Sequence, residues 1–161
     1  MEQMNIFDKG KTNDKCTFCK IISGEIKGYI AFEDDISLAF LDHRPLLPGH
    51  LLFVPKKHYE TLIDLPADLV APYFVNVQLL AEAVEQGLEG DGSFVAINTR
   101  IAQSVPHLHV HIVPRWKKDG LFSTKNYIWQ RRPYKDDDER IKVQNSIQAA
   151  ITQLQKRHTK V

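Results

Sequence analysis

Gln103-Ser104-Val105-Pro106-His107-Leu108-His109-Val110-His111-Ile112-Val113-Pro114-Arg115 is the run on which the reading of the whole chain turns. From His107 to Ile112 polar and apolar residues alternate without exception, the period of a half-buried strand. Extended over residues 107–113, it turns Leu108, Val110 and Ile112 into a core and projects His107, His109 and His111 from the opposite face. Neighbouring histidines on that face stand about 6–7 Å apart along the strand. Folding alone asks for no imidazole here, since Thr, Lys or Glu would serve a solvated face equally well. Besides a His-rich exposed strand, two chemical readings are open. One is metal ligation by i, i+2 histidines; the other is nucleophilic catalysis by an imidazole whose neighbours hold its tautomer. The two are compatible.

Working outward, residues 93–98 read as the preceding strand and Thr99-Arg100-Ile101-Ala102 as the link between the two. Residues 29–33 and 37–41 read as a hairpin about Asp34-Asp35. A tight Pro/Gly loop at 45–49 leads into a strand over 50–55. Residues 61–66 enter a long helix ending near Gly87 or Gly90, with a break or kink expected at Pro72. Val70, Phe74, Val77, Leu80, Ala81, Val84 and Leu88 form its core stripe. Ile21 to Glu25 reads as a short helical turn ending at Gly24. A final helix spans about 137–157, with Val143, Ile147, Ala150, Ile151 and Leu154 on one face. Its acidic start and Lys156-Arg157 end suit the helix dipole. That face packs on its own domain or on a second subunit. Between the last strand and this helix, Phe122, Tyr127 and Trp129 precede Arg131-Arg132-Pro133. Asp136 to Glu139 cancels the basic charge, so the stretch reads as a structural or substrate-lid segment.

The chain has 161 residues, 43% hydrophobic and 25% charged, with a formal net charge of +1. Residues 16–161, with a C-terminal extension over 116–161, are expected to form one domain, preceded by a loose polar arm at 1–15. Near-neutral charge argues against a nucleic-acid binder, and no apolar run approaches a membrane span. The N-terminus has no apolar core of a signal peptide, so a cytoplasmic protein is expected. In a reducing compartment, Cys16-Thr17-Phe18-Cys19 points to metal or redox chemistry ahead of a disulfide. Two small buried hydrophobes beside Phe18 are the plainer alternative.

The central run resembles the signature of the histidine triad (HIT) superfamily, three histidines alternating with apolar residues, preceded by Gln-Ser and followed by Pro-Arg. Cys16-Thr17-Phe18-Cys19-Lys20-Ile21, Ala39-Phe40-Leu41-Asp42 and Pro48-Gly49-His50 extend the similarity over roughly 16–115. The resemblance implies an α+β fold: an antiparallel sheet of about five strands, one long helix packed on it, and a C-terminal helix outside. It implies a homodimer acting on a small-molecule nucleotide, with neither nucleic acid nor membrane as partner. His109 would attack the α-phosphate of a nucleoside phosphoramidate or related conjugate, forming a nucleotidyl-histidine. The main-chain carbonyl of His107 would hold its other ring nitrogen, and His111 would bond phosphate or leaving group. Asp42 would accept the ribose diol, and Phe18, Ile21 and Phe40 would wall the base. Asn98, Gln103 and Ser104, supported by His50, would serve the phosphate. Cys16, Cys19, His58 and His107 would complete a structural zinc site. The link over 99–102 departs from the longer Gly-rich one common in the family, and Arg100 is read either as supplying charge in its stead or as an exposed loop arginine. The rival activities are hydrolysis of dinucleoside polyphosphates and zinc-stabilised nucleotide binding without turnover.

Overall fold

The computed structural model describes residues 13–123 and 130–158. Most of the expected N-terminal arm, and Tyr127 and Trp129, lie outside the described residues. In chain order the elements are α1 (Thr17–Ile22), β1 (Ile30–Glu33), β2 (Ser37–Leu41), β3 (Leu51–Pro55), α2 (Ala67–Gly87), β4 (Gly92–Ile97), β5 (Val110–Arg115) and α3 (Asp137–His158). The strands form one sheet in the order β1-β2-β3-β5-β4, every neighbour antiparallel. This is the α+β architecture the pattern of strands and helices implies.

Strand alternation sends residues to two faces. Ala39, Leu41, Leu51, Phe53, Leu108, Val110 and Ile112 join the core under α2, where Tyr73, Leu80 and Val84 meet them. Leu38, Phe40, Leu52 and Val54 point the other way, toward Phe18 and the two cysteines. α3 settles the question of its partner: it packs on α2 and β1 of its own chain. Gln144 and Gln148 donate to the Ile30 carbonyl at 2.7 and 2.9 Å. Where α2 meets α3 the backbones nearly touch, since a Cβ on Gly87 would lie 2.7 Å from the Ser146 carbonyl oxygen.

Four local expectations are corrected. The long helix runs unbroken through Pro72; Asp68, whose carbonyl loses its partner there, is exposed, so the lost bond costs little. A 3-10 turn at Leu62–Asp64, with Thr61 and Asp64 capping each other, precedes the helix. Its buried stripe is Tyr73, Val77, Leu80, Ala83 and Val84, while Val70 and Phe74 are exposed. Tyr73 wins over Phe74 because its ring stacks on Phe53 at 4.5 Å and its hydroxyl donates to the Phe53 carbonyl at 2.8 Å. The first helix is Thr17–Ile22, ahead of the expected turn, with Cys16 at its N-cap. Finally, the ladder of β5 begins at Val110, not His107. Pro55 has no N–H to continue it and its carbonyl accepts from His107 Nε2 at 2.9 Å. Leu108 N–H turns to the Tyr59 carbonyl. The alternation nevertheless continues outside the ladder, with Leu108 in the core and the imidazoles opposite.

Candidate active site and metal cluster

The two cysteines and two of the histidines converge. Cys16 Sγ lies 3.4 Å from His107 Nδ1, Cys19 Sγ 3.6 Å from the same atom and 3.3 Å from His58 Nδ1. All four donor atoms fall within 4.8 Å of one another. Because His107 Nε2–H donates to the Pro55 carbonyl, its Nδ1 carries the lone pair and faces the sulfurs. Burial pushes the Cys19 thiol up to about 11, so a cation is what would draw off its proton. Two thiols and two correctly presented imidazoles fit a tetrahedral metal ion.

The main chain of His107 serves the next histidine. Its carbonyl accepts from His109 Nδ1 at 2.7 Å, leaving a neutral His109 with its lone pair on Nε2. Burial lowers the pKa of His109, partly offset by that bond, so the neutral form is favoured. A second chain of bonds sets His111. The Leu46 N–H donates to His50 Nδ1 at 3.2 Å, so His50 carries its proton on Nε2 and donates to His111 Nδ1 at 2.9 Å. His111 then keeps its own proton on Nε2. Adjacent imidazoles thus hold opposite tautomers, an acceptor beside a donor, with ring centroids 4.9 Å apart. Burial drives His50 down to about 3 and His111 to about 4, so both are neutral near pH 7.

His109 and His111 open onto a cavity of about 620 Å³. Phe18, Ile21 and Phe40 wall it, Ser104 lies on its rim, and Asp42 stands at its polar end. Asp42 is buried; its Oδ1 accepts from the Arg44 N–H at 2.9 Å and its Oδ2 from Arg131 Nη1 at 2.9 Å. Burial alone would raise its pKa, but His50, the Arg44 amide and Arg131 outweigh it and the carboxyl titrates below its usual value.

Of the residues singled out from sequence, Phe18, Ile21, Phe40, Asp42, Ser104, His109 and His111 thus share one cavity. Cys16, Cys19, His58 and His107 share the neighbouring cluster. His50 sits behind His111, and Asn98 and Gln103 are not part of the cavity wall. Gln103 instead accepts from the Arg100 N–H and donates to the Glu60 carbonyl. The glycine-free link adopts left-handed backbone at Arg100 (φ 65°) and Ala102 (φ 58°), the conformation glycine would supply without strain. Phe122 packs edge-on against Phe94 with Arg115 over its ring, away from the histidines. Arg131, from the stretch read as a structural or substrate-lid segment, and Arg140, which sequence reasoning did not name, also line the cavity. No local motif shows which cavity they reach, because only the return of the C-terminal segment brings them there.

Comparison with known proteins bears on the fold and the family. The HIT domain family model matches residues 23–118. A Zn-bound histidine triad family protein from Mycobacterium smegmatis superposes with a TM-score of 0.76 at 36% identity, covering 88% of this chain and 96% of that one. An adenylylsulfatase of Arabidopsis thaliana is 38% identical over 113 residues, 69% of this chain and 57% of that protein. An adenosine 5′-monophosphoramidase of Saccharomyces cerevisiae is 37% identical over 108 residues, 66% of each.

Proposed function

Since the chain belongs to the HIT domain family, we propose that it cleaves or transfers at the α-phosphate of a nucleoside phosphoramidate or related nucleotide conjugate. The observation that carries this reading is the tautomer of His109, whose Nδ1–H is held by the His107 carbonyl so that Nε2 keeps its lone pair. That lone pair forms a bond to phosphorus, the bond to the leaving group breaks, and the leaving group departs with a proton taken from solvent, which the attacking water of the next step gives back. Water then attacks phosphorus and releases the nucleoside monophosphate, restoring the imidazole. His111 and Ser104 supply donors to the phosphoryl oxygens as charge develops. Asp42 accepts from the ribose hydroxyls, and Phe18, Ile21 and Phe40 enclose the base. Two related proteins named for phosphoramidate and adenylyl-sulfate chemistry support a nucleotide with a small leaving group.

The ion assigned to the cluster is zinc, on the strength of the Cys₂His₂ donor set and the Zn-bound relative. Its contribution is structural, tying α1 to the segment that carries the histidines. Free thiols at Cys16 and Cys19 suit a reducing compartment such as the cytoplasm. A homodimer is supported by β4, which ends the sheet with no residue buried and Val95 42% exposed.

Rapid-quench mass spectrometry with adenosine 5′-phosphoramidate tests the mechanism. An adduct of one nucleotidyl group is expected on His109, and His109→Ala should lower turnover by about 10³-fold or more. Unimpaired turnover by that variant would reject it. Faster cleavage of diadenosine tetraphosphate would move the substrate to the polyphosphate class.

A further inference from the structure

Arg131 lies outside residues 23–118, the span the family match covers. The segment that carries it is laid across the loop between β2 and β3, the same loop that holds Asp42 and His50. Four bonds fasten it there. Arg132 N–H donates to the Pro45 carbonyl at 2.7 Å. The Gly49 N–H donates to the buried Tyr134 hydroxyl at 3.1 Å. Arg131 Nη1 reaches both Asp42 Oδ2 at 2.9 Å and the Arg44 carbonyl at 2.6 Å.

This last pair matters for chemistry because Asp42 is the carboxylate at the polar end of the cavity and is itself buried. A buried carboxylate reads two hydroxyl groups well only if it is ionised and held in one rotamer. The Arg44 N–H fixes one oxygen, and Arg131 fixes the other from a side chain anchored on a main-chain carbonyl. A charge-assisted bond of this kind is stronger than a neutral one, and the guanidinium gives it direction as well as charge.

We infer that Arg131 is a positioning residue for sugar recognition, orienting Asp42 so that the site selects ribonucleotides over 2′-deoxyribonucleotides. The inference rests on the nucleotide reading above, and specifically on Asp42 meeting the ribose. Arg131 acts through Asp42 and needs no contact with phosphorus. Its loss should therefore weaken binding of the ribose without altering the chemical step.

Steady-state kinetics on adenosine 5′-phosphoramidate and its 2′-deoxy analogue, with native protein, Arg131→Ala, Arg131→Lys and Asp42→Asn, test this. Arg131→Ala should raise KM for the ribonucleotide about tenfold, hold kcat within about twofold, and erase most of the preference over the deoxy analogue. Arg131→Lys keeps the charge without the planar guanidinium and should fall between the two. A purely structural role would lower the active fraction, hence kcat, and leave KM and the sugar preference alone. Native KM and native preference in Arg131→Ala would overturn the inference. Should that variant not fold by circular dichroism, Arg131→Gln is judged by the same two quantities. If Asp42→Asn keeps the full ribose preference, the ribose role of Asp42 is wrong and the inference falls with it. If Asp42→Asn loses it and Arg131→Ala does not, the inference alone fails.

Discussion

The histidines differ in what their neighbours require of them. His109 is an acceptor at Nε2 because a carbonyl two residues back takes its proton; His111 is a donor there because His50 occupies its other nitrogen. His50 in turn is set by a main-chain N–H, that of Leu46. The whole relay works only with neutral imidazoles, and burial keeps them so. This has a sign in pH. His50 and His111 titrate at about 3 and 4 in the folded chain, against about 6.5 when unfolded. Stability is therefore intact above pH 6.5 and is lost as pH falls from there toward 4, because the unfolded state binds the protons first. Urea titrations should show a loss of up to about 2 kcal/mol for each histidine at pH 5 relative to pH 7. The acid limb of kcat/KM should also fall below 6.5, since the pKa of His109 is lowered. Equal stability at pH 5 and 7 would contradict the buried neutral pair.

Elements are joined here by side chains with two duties. His107 contributes its imidazole to the cysteine cluster and its carbonyl to His109, so the cluster that α1 joins and the histidine segment share one residue. α1 has only six residues and no side-chain N-cap bond, too little for a helix to hold itself together. Its anchors are Phe18 and Cys19 against the sheet, together with whatever ion the cluster holds. Removing the metal by chelation, or replacing Cys16 with Ser, should lower Tm by about 5 °C or more and release about one zinc per chain. It should also raise hydrogen exchange across α1 more than across α2. A metal-free protein that melts at the same temperature, with no change in α1, would dismiss the cluster as a metal site. The periodicity of α3 named its buried face correctly, as Ile147, Ala150, Ile151 and Leu154 are all in the core. In α2 periodicity placed Val77, Leu80, Ala81, Val84 and Leu88 correctly but misjudged the first turns, where apolarity favoured Phe74 and the partner surface, Phe53 and its carbonyl, favoured the hydroxyl-bearing Tyr73.

At the scale of the molecule, the sheet is protected on one side and open on the other. β1 is covered by α3, whose glutamines bond the Ile30 carbonyl, while β4 forms the opposite edge with Val95 exposed. An open edge with an apolar residue invites pairing with another strand, and in the proposed homodimer a second copy of the chain would supply it. Light scattering should find a dimer at micromolar concentration and Val95→Lys should shift it toward monomer. A native monomer would remove the dimer from the proposed assembly.

The amino-acid sequence by itself determined the alternating histidine segment, the hairpin, the five strands and the cysteine pair, because periodicity and turn residues act between near neighbours. It also held, through the resemblance of its motifs, the residues that gather around the cavity and the cluster. Only the tertiary structure decided where the ladder of β5 starts, that Tyr73 and not Phe74 is buried on α2, which tautomer His111 holds, and that Arg131 returns to Asp42. Each of these depends on a partner far away in the chain: the Pro55 carbonyl for His107, Phe53 for Tyr73, His50 for His111, and the loop at Asp42 for a side chain 89 residues later. Local pattern carries no information about such a partner until the sheet has closed around it.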